Sequence, residues 1–301
     1  MLPYLKHRRK GWTLMKKLSR KLTPYWFALP AVAFVVMFTY YPFFRTVYNS
    51  LFAINSYGVT VRYLGFRNYL DVLNNKHFVN ALLNSLKYSL IGVPSSILVS
   101  LLLALLSNRR RLFSKAYEVM FSLPMAISMS ATCMIFKLLL NPTVGYLNYA
   151  LSLNVQWLNS RQTALFSLIL VSGWMSIGFQ YIFLMAALRG VPQELTEASQ
   201  IEGANAMQRT VYVTLPLISP TLFYLVCTDI VTYMMMAGPS LVLTDGGPFR
   251  STETLIYHMY DRSIYNQFWG YGYAMSVIIF LLLLVMILLT FRVEKKGVYY
   301  T

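Results

Sequence analysis

Few side chains in this sequence have the types and spacing that catalytic chemistry requires. The three histidines, His7, His77 and His258, are far apart, and the chain contains no zinc-protease, serine-hydrolase or Walker A motif. The two cysteines, Cys133 and Cys227, lie inside apolar segments and do not have metal-ligand spacing. We therefore predict no catalytic residue, no metal site and no ATP site in this chain, and we predict that it is not an enzyme.

Asp229 is a carboxylate inside an apolar segment. A charged side chain at the centre of a membrane helix costs about 2.5–3.5 kcal/mol on insertion scales, so it usually faces a cavity or a partner. A single carboxylate without an obvious acid or base beside it suits hydrogen bonding to a polar substrate better than hydrolysis. Pairing of Asp229 with a group on a neighbouring helix is the alternative that the sequence leaves open.

A second group of ionisable residues lies between two long apolar segments. Three of the ten acidic residues fall within nine positions there: Glu194, Glu197 and Glu202. Pro192 suits the first turn of a helix and Gly203 suits a left-handed residue at its end, so we predict a helix over about 192–202. Such a helix is too short to be stable alone in water and needs a surface to pack on. That surface is either this chain's own helices or a partner.

The composition places these residues in an integral membrane protein. Of 301 residues, 57% are hydrophobic and only 12% are charged, which is about half the charged share of a typical soluble domain. A helix needs roughly 20 apolar residues to cross the hydrocarbon core. Six segments are predicted to do so, at 25–48, 79–107, 116–140, 163–188, 217–241 and 270–291. The predicted fold class is therefore all-α integral membrane with six transmembrane helices.

Lys and Arg residues predict the orientation of the chain. The tail 1–24 has eight of them, the connector 108–115 has four, the connector 189–216 has two and the segment 292–301 has three. By the positive-inside rule these four segments are cytoplasmic, so both termini are cytoplasmic. This bias also explains the net charge of +16, and we expect no nucleic-acid partner.

The predicted domain organisation follows from these spans. A basic cytoplasmic tail at 1–24 precedes a transmembrane domain at 25–291, and a short cytoplasmic tail at 292–301 ends the chain. The cytoplasmic loop 189–216 lies within the transmembrane domain. The N-terminal tail is either an amphipathic helix on the inner membrane surface or a disordered basic segment.

The loop 189–216 carries a recognisable pattern. It reads Glu197-Ala198-Ser199, two further residues, Glu202-Gly203-Ala204, and then Leu215-Pro216 after a fixed gap. This spacing resembles the EAA loop of ABC-transporter permease subunits, with Ser199 and Glu202 as mild departures. Nearly the whole chain is similar to carbohydrate-type permeases like the larger subunit of the maltose permease, in a short six-span form. The supporting segments are WFALP (26–30), YYP (40–42), GFRNYLDVL (65–73), FVNALLNS (78–85), GYLN (145–148), Trp174, TDGGP (244–248) and GYGYA (270–274).

The resemblance implies a type I ABC importer permease fold in a bacterial cytoplasmic membrane, and import of a sugar, predicted to be an oligosaccharide. The implied partners are a second homologous permease chain, two cytoplasmic ATPase subunits, an extracellular solute-binding protein, membrane lipid and the carbohydrate substrate. ATP and Mg would be bound by the ATPase subunits, so we expect no cofactor on this chain. The implied ATPase-coupling residues are Glu194, Glu197, Ala198, Ser199, Glu202 and Gly203.

The same resemblance implies substrate contacts on two spans. On the fourth span they are Met175, Ser176 and Phe179; on the fifth they are Asp229, Thr232, Tyr233 and Met236. The fifth-span spacing places its four residues on one helix face. Asp229 and Thr232 would hydrogen-bond hydroxyl groups, and the aromatic residues would offer flat faces to a sugar ring. Met175, Phe179 and Met236 are equally well explained as packing residues. A self-sufficient secondary transporter is the alternative function.

Overall fold

The computed structural model describes residues 24–108 and 114–297, so the two alternatives for the N-terminal tail concern residues outside the described part. Its helices, in chain order, are α1 (Pro24–Asn49), α2 (Arg67–Leu73), α3 (Lys76–Ser107), α4 (Ser114–Ser122), α5 (Met129–Leu139), α6 (Tyr146–Leu151), α7 (Ala164–Arg189), α8 (Gln193–Ile201), α9 (Ala206–Leu217), α10 (Ser219–Met234), α11 (Leu255–Tyr260) and α12 (Trp269–Gly297). Two short strands, β1 (Phe52–Ile54) and β2 (Thr60–Tyr63), lie between α1 and α2.

Four of these helices, α1, α3, α7 and α12, are long and apolar enough to cross a membrane. Two further pairs, α4 with α5 and α9 with α10, reach that length only when each bent pair counts as one span. The described residues therefore contain four candidate spans, or up to six, in agreement with the six predicted. Helix α12 continues to Gly297, past the predicted end of the last span.

The span predicted as one helix at 116–140 is sharply bent. The helical segments Lys115–Ala126 and Met129–Leu139 meet at 103°. Pro124 lies in the turn before the bend and Ile127 has an extended backbone, so helical hydrogen bonding stops there. Ser128 then starts α5, because its Oγ accepts a hydrogen bond from the amide of Ala131 at 3.3 Å.

The span predicted at 217–241 is shorter than predicted, and a sharp bend lies at its start. α9 and α10 meet at 67°, at a position flanked by Pro216 and Pro220, which restrict the backbone there. The helix ends at Met234, and Gly238 and Pro239 follow soon after. Average hydropathy did not reveal the break at Ile127, because the residues around it are apolar, whereas Pro216 and Pro220 indicate the change of direction at Ile218 from the sequence.

The core forms where α3 packs along α7 and crosses α10. One side of α3 consists of small buried residues spaced three or four apart: Ala81, Ser85, Ser89, Gly92, Ser96, Ser100 and Ala104. Small residues at this spacing let neighbouring membrane helices approach closely. A Cβ at Gly92 would lie 2.2 Å from the Tyr233 ring, and one at Gly178 would lie 2.6 Å from the Met125 backbone nitrogen. The absence of a side chain at these two positions therefore sets the distance between helices.

The strands β1 and β2 form an antiparallel hairpin that the sequence analysis did not predict. Phe52 pairs with Tyr63 and Ala53 with Arg62. Asn55 organises the turn, since its Oδ1 accepts hydrogen bonds from the amides of Tyr57 at 3.1 Å and of Val59 at 2.9 Å. The alternation of residue types was short and lay beside a long apolar span, which obscured the hairpin.

Candidate functional site

A buried polar cluster lies where α3, α7 and α10 meet. The carboxylate of Asp229, 4% exposed, accepts a hydrogen bond at Oδ2 from Nε2 of Gln180 at 2.7 Å. Gln180 Nε2 also donates to Ser96 Oγ at 2.9 Å, and Gln180 Oε1 accepts from Ser100 Oγ at 2.6 Å. Asp229 is therefore paired with a neighbouring helix in this conformation, which was the alternative to direct substrate contact.

Tyr233 lies one helical turn beyond Asp229 and is fully buried. Its ring centroid is 5.4 Å from that of Tyr88. Ser96 and Ser176 lie close to its hydroxyl group, but neither has hydrogen-bond geometry, and the hydroxyl has no partner among the described residues. A buried polar group without a partner costs about 1–3 kcal/mol. An unused hydroxyl group therefore lies beside the Asp229 cluster, among the helices where the substrate was expected.

The predicted single face of the fifth span is only partly formed. Because α10 ends at Met234, Met236 lies beyond the helix; its Sδ accepts a hydrogen bond from the Tyr88 hydroxyl at 3.1 Å. Thr232 is exposed, and its hydroxyl donates to the Thr228 carbonyl oxygen at 2.9 Å. The structure thus groups Asp229 with Tyr233 and leaves Thr232 on a different surface.

The predicted substrate contacts on α7 lie beside the main apolar cluster. Met175 and Phe179 are half-buried and pack against the main apolar cluster, and Ser176 is half-buried. The ring of Phe179 is 4.5 Å from that of Phe183, centroid to centroid. These positions fit packing and retain some accessible surface, so substrate contact by the assigned residues of α7 and α10 stays a prediction.

The short predicted helix is present as α8, at Gln193–Ile201. It begins directly after Pro192, one residue later than predicted, and Gly203 takes the predicted left-handed conformation with φ +88°. Two backbone hydrogen bonds close its end, from the amide of Ala204 to the Ser199 carbonyl and from Gly203 to the Gln200 carbonyl, both at 3.0 Å. This pattern is a Schellman motif, which stops a helix and turns the chain.

A second capping motif follows at once and starts α9. Asn205 and Gln208 form a reciprocal capping box, with hydrogen bonds of 2.9 Å and 2.8 Å between side chain and backbone. The corner between α8 and α9 is therefore defined by local hydrogen bonds.

The surface of α8 is exposed and carries both acidic and apolar side chains. No residue of α8 is buried. Of the predicted coupling residues, only Ser199 is half-buried, and Glu194, Glu197, Ala198, Glu202 and Gly203 are exposed. Ile201 is 88% exposed and Met207 on α9 is 71% exposed. Helix α8 therefore packs little of its surface against the described part of the chain.

A polar cleft separates α8 from the ends of the spans. It has a volume of about 940 Å³ and is lined by residues of α3, α4, α7 and α8. Arg189 at the end of α7 forms an ion pair with Glu118 of α4 along this cleft. The ion pair links the helix that leads into α8 to the bent span.

Sequence reasoning missed two groups of polar residues. Gln180, which holds Asp229, was not identified, although Ser96 and Ser100 occur one turn apart in an apolar span and indicate a polar helix face. His258 was not assigned a role, yet it is fully buried, with Nδ1 2.8 Å from Glu253 Oε1 and Nε2 3.0 Å from the Tyr271 hydroxyl. The hydrogen-bond partners of Gln180 and the Tyr271 partner of His258 are distant in the chain, so the sequence pattern did not indicate them.

No group of three or more His, Cys, Asp or Glu residues in the described part could hold a metal ion.

Four apolar helices of membrane length and two bent helix pairs, all within the described residues, are typical of a multi-pass membrane protein. The chain belongs to the family described as binding-protein-dependent transport system inner membrane component, whose model matches residues 96–296.

Relatives and a solved structure agree with this assignment. The chain is 29% identical over 287 residues to the probable ABC transporter permease protein YurN of Bacillus subtilis (strain 168), with 93% of this chain and 98% of the relative covered. It is 28% identical over 284 residues to the sn-glycerol-3-phosphate transport system permease protein UgpA of Agrobacterium fabrum, covering 93% and 97%. A chain of the bacterial alginate ABC transporter, crystallised with an alginate pentasaccharide-bound periplasmic protein, matches with a TM-score of 0.79 and 22% identity, covering 94% of this chain and 97% of that chain. The predicted fold class, a type I ABC importer permease, is confirmed, and the chain is a multi-pass membrane permease.

Proposed function

We propose that this chain forms half of the translocation pathway of an ATP-driven importer that takes a sugar from a solute-binding protein. The observation that carries the proposal is α8: a short exposed helix with the EAA pattern, followed by the rigid corner that connects it to α9 and α10. A second homologous permease chain would complete the pathway. The crystallised alginate transporter with its periplasmic protein supports a solute-binding protein as the delivery partner.

The surface of α8 would dock onto an ATPase subunit on the cytoplasmic side. Ala198 and Ser199 are small, so a partner surface can approach the α8 backbone closely, and the exposed Ile201 can enter an apolar groove. ATP and Mg would be bound by two such ATPase subunits rather than by this chain. Because the loop 189–216 is predicted to be cytoplasmic, both termini would lie on that side of the membrane.

The substrate would pass along α7 and α10. Asp229, Tyr233 and Ser176 supply the hydrogen-bonding groups of a sugar site, and Phe179 supplies an aromatic surface. Asp229 and Tyr233 are buried here, so substrate binding would require the pathway to open at the polar cluster. An oligosaccharide is the favoured substrate class, because the structurally similar alginate transporter was crystallised with an alginate pentasaccharide-bound periplasmic protein. The relative UgpA belongs to an sn-glycerol-3-phosphate transport system, so uptake of sn-glycerol-3-phosphate in place of a sugar would overturn this choice.

The coupling role is tested with Ala198→Arg, which adds a long charged side chain to the docking surface. Ala150→Arg on α6 is the matched control, because Ala150 is also an exposed helical alanine. Ala198→Arg should abolish co-purification of the ATPase subunits and sugar-stimulated ATP hydrolysis while leaving membrane insertion unchanged, and Ala150→Arg should retain both. Normal assembly and ATP hydrolysis in Ala198→Arg would refute docking through α8.

The substrate role is tested with Asp229→Ala. This change should weaken sugar uptake while the complex with the ATPase subunits still assembles. Normal uptake would remove Asp229 from the pathway. Ion-driven sugar accumulation by this chain alone in liposomes would instead favour a self-sufficient secondary transporter and overturn the importer proposal.

A further inference from the structure

The carboxylate of Asp229 has a neutral partner and no cationic one in the described part of the chain. Nε2 of Gln180 donates to its Oδ2 at 2.7 Å. The ion pairs among the described residues all involve Glu118 or Glu253. No Lys, Arg or His of that part therefore lies within ion-pair distance of Asp229, and its negative charge is not offset by a positive one.

Hydrogen bonds to α3 fix the direction of the Gln180 amide. Ser96 Oγ donates to the carbonyl oxygen of Val93 at 3.1 Å, so the same oxygen accepts from Nε2 of Gln180 at 2.9 Å. Ser100 Oγ donates to the other end of the amide, Oε1, at 2.6 Å. The nitrogen end of Gln180 therefore faces Asp229, and the carboxylate is held as an acceptor.

Two hydrogen-bonding atoms of this cluster have no partner among the described residues. They are Oδ1 of Asp229 and the hydroxyl group of Tyr233. The two residues are four positions apart on α10, so they share a helix face, and the Ser176 hydroxyl lies close to that of Tyr233. A sugar hydroxyl group can donate to the carboxylate and accept from the tyrosine. An ammonium group also suits the carboxylate, whereas an acidic group would meet a like charge.

We propose that Asp229, positioned by Gln180, selects substrates by charge, so that neutral and amino saccharides are accepted and acidic saccharides are rejected. This inference rests on the proposed function, in which the substrate passes along α7 and α10. At an effective dielectric constant of about 20, two like charges about 5 Å apart weaken binding by on the order of a hundredfold. Asp229 is then a specificity-determining residue, and Gln180 is a positioning residue that acts through it.

The test measures binding of saccharides to the complete complex of permease chains and ATPase subunits in nanodiscs, by saturation-transfer NMR. The solute-binding protein is omitted, because its own selectivity would otherwise contribute. The probes are β-1,4-linked trisaccharides of glucose, glucosamine and mannuronate, which are similar in size and differ in charge. Asp229→Asn removes the negative charge and keeps an oxygen that can accept from Gln180.

Glu253→Gln is the matched control. It also converts a buried carboxylate, 2% exposed, into an amide. The carbonyl oxygen of Glu253 accepts from Asn84, which lies about 18 Å along α3 from Ser96. This variant therefore removes a buried charge away from the Asp229 cluster.

The wild-type complex should bind the glucose and glucosamine trisaccharides on the order of a hundredfold more tightly than the mannuronate trisaccharide. Asp229→Asn should reduce this difference to about tenfold or less, and Glu253→Gln should retain it. Equal binding of the three probes by the wild-type complex, or a difference that Asp229→Asn leaves unchanged, would overturn the proposal. Tighter binding of the mannuronate trisaccharide would also overturn it, and would show that the second permease chain supplies a cation.

The positioning role of Gln180 has its own measurement. Gln180→Leu should reduce the charge preference in the wild-type chain and have no further effect on it when Asp229→Asn is already present. Equal effects in both chains would limit Gln180 to a structural role and overturn its assignment. Ion-driven uptake by this chain alone would overturn the proposed function, whereas a missing charge preference in an ATP-driven complex would overturn only this inference.

Discussion

Gly92→Ala should destabilise the core, because the α3 surface at this position is in contact with the Tyr233 ring. The added Cβ would lie 2.2 Å from Cε1 and 2.6 Å from Cδ1 of that ring, whereas carbon atoms prefer about 3.5–4.0 Å. The ring is fully buried and rests against Tyr88, so it has little room to move. Overpacking costs about 1–3 kcal/mol and the better helix propensity of alanine returns about 0.5–1, so we expect a net loss of about 1–2 kcal/mol.

Gly173→Ala is the matched control on α7. Its Cβ would be 3.9 Å from Cβ of Ser96 and 3.9 Å from the Tyr233 hydroxyl oxygen, which is ordinary contact. This variant should keep or slightly raise the free energy of unfolding, measured by denaturant titration in mixed micelles. In a double-mutant cycle, Gly92→Ala with Tyr233→Ala should cost less than the sum of the single changes. Equal stability of Gly92→Ala and Gly173→Ala would refute the proposed packing.

Three further changes test the polar contacts in the same unfolding assay. Gln180→Leu leaves the buried carboxylate of Asp229 without its partner and should lower the free energy of unfolding by about 1–3 kcal/mol. Gln180→Glu should lower it at least as much, because it adds a second buried carboxylate beside the first. Arg189→Ala removes the ion pair with Glu118, whose two side chains are 56% and 31% exposed. Because exposed ion pairs contribute little, the free energy of unfolding should fall by only about 0.2–1 kcal/mol. A larger fall would show that this ion pair does more than an exposed pair. His258→Leu leaves the buried Glu253 carboxylate with fewer partners and should cost about 1–3 kcal/mol, whereas His77→Leu, at an exposed histidine, should have little effect.

The short helix α8 was predictable because its signals are local. Pro192 before the helix and Gly203 after it act within one turn of the backbone, and the observed helix lies within one residue of the predicted bounds at each end. The six apolar segments were predictable for a similar reason, since average hydropathy over about 20 residues is a property of the chain alone. The bend at Ile127 was missed, because averaging over a span hides the residues that interrupt it. Pro216 and Pro220, in contrast, are a local signal for the change of chain direction at Ile218.

The sequence by itself determined the class of this protein, because the hydropathy of each span and the EAA spacing are each contained in a continuous stretch of chain. Tertiary structure decided the partners of the polar residues. Asp229 and Gln180 are 49 positions apart, and only the close packing of α7 on α3 and α10 brings them within hydrogen-bonding distance. Tertiary structure also decided which apolar residues stay exposed, as on α8 and β2. Burial depends on every neighbouring element, whereas a sequence pattern describes only the element in which it occurs.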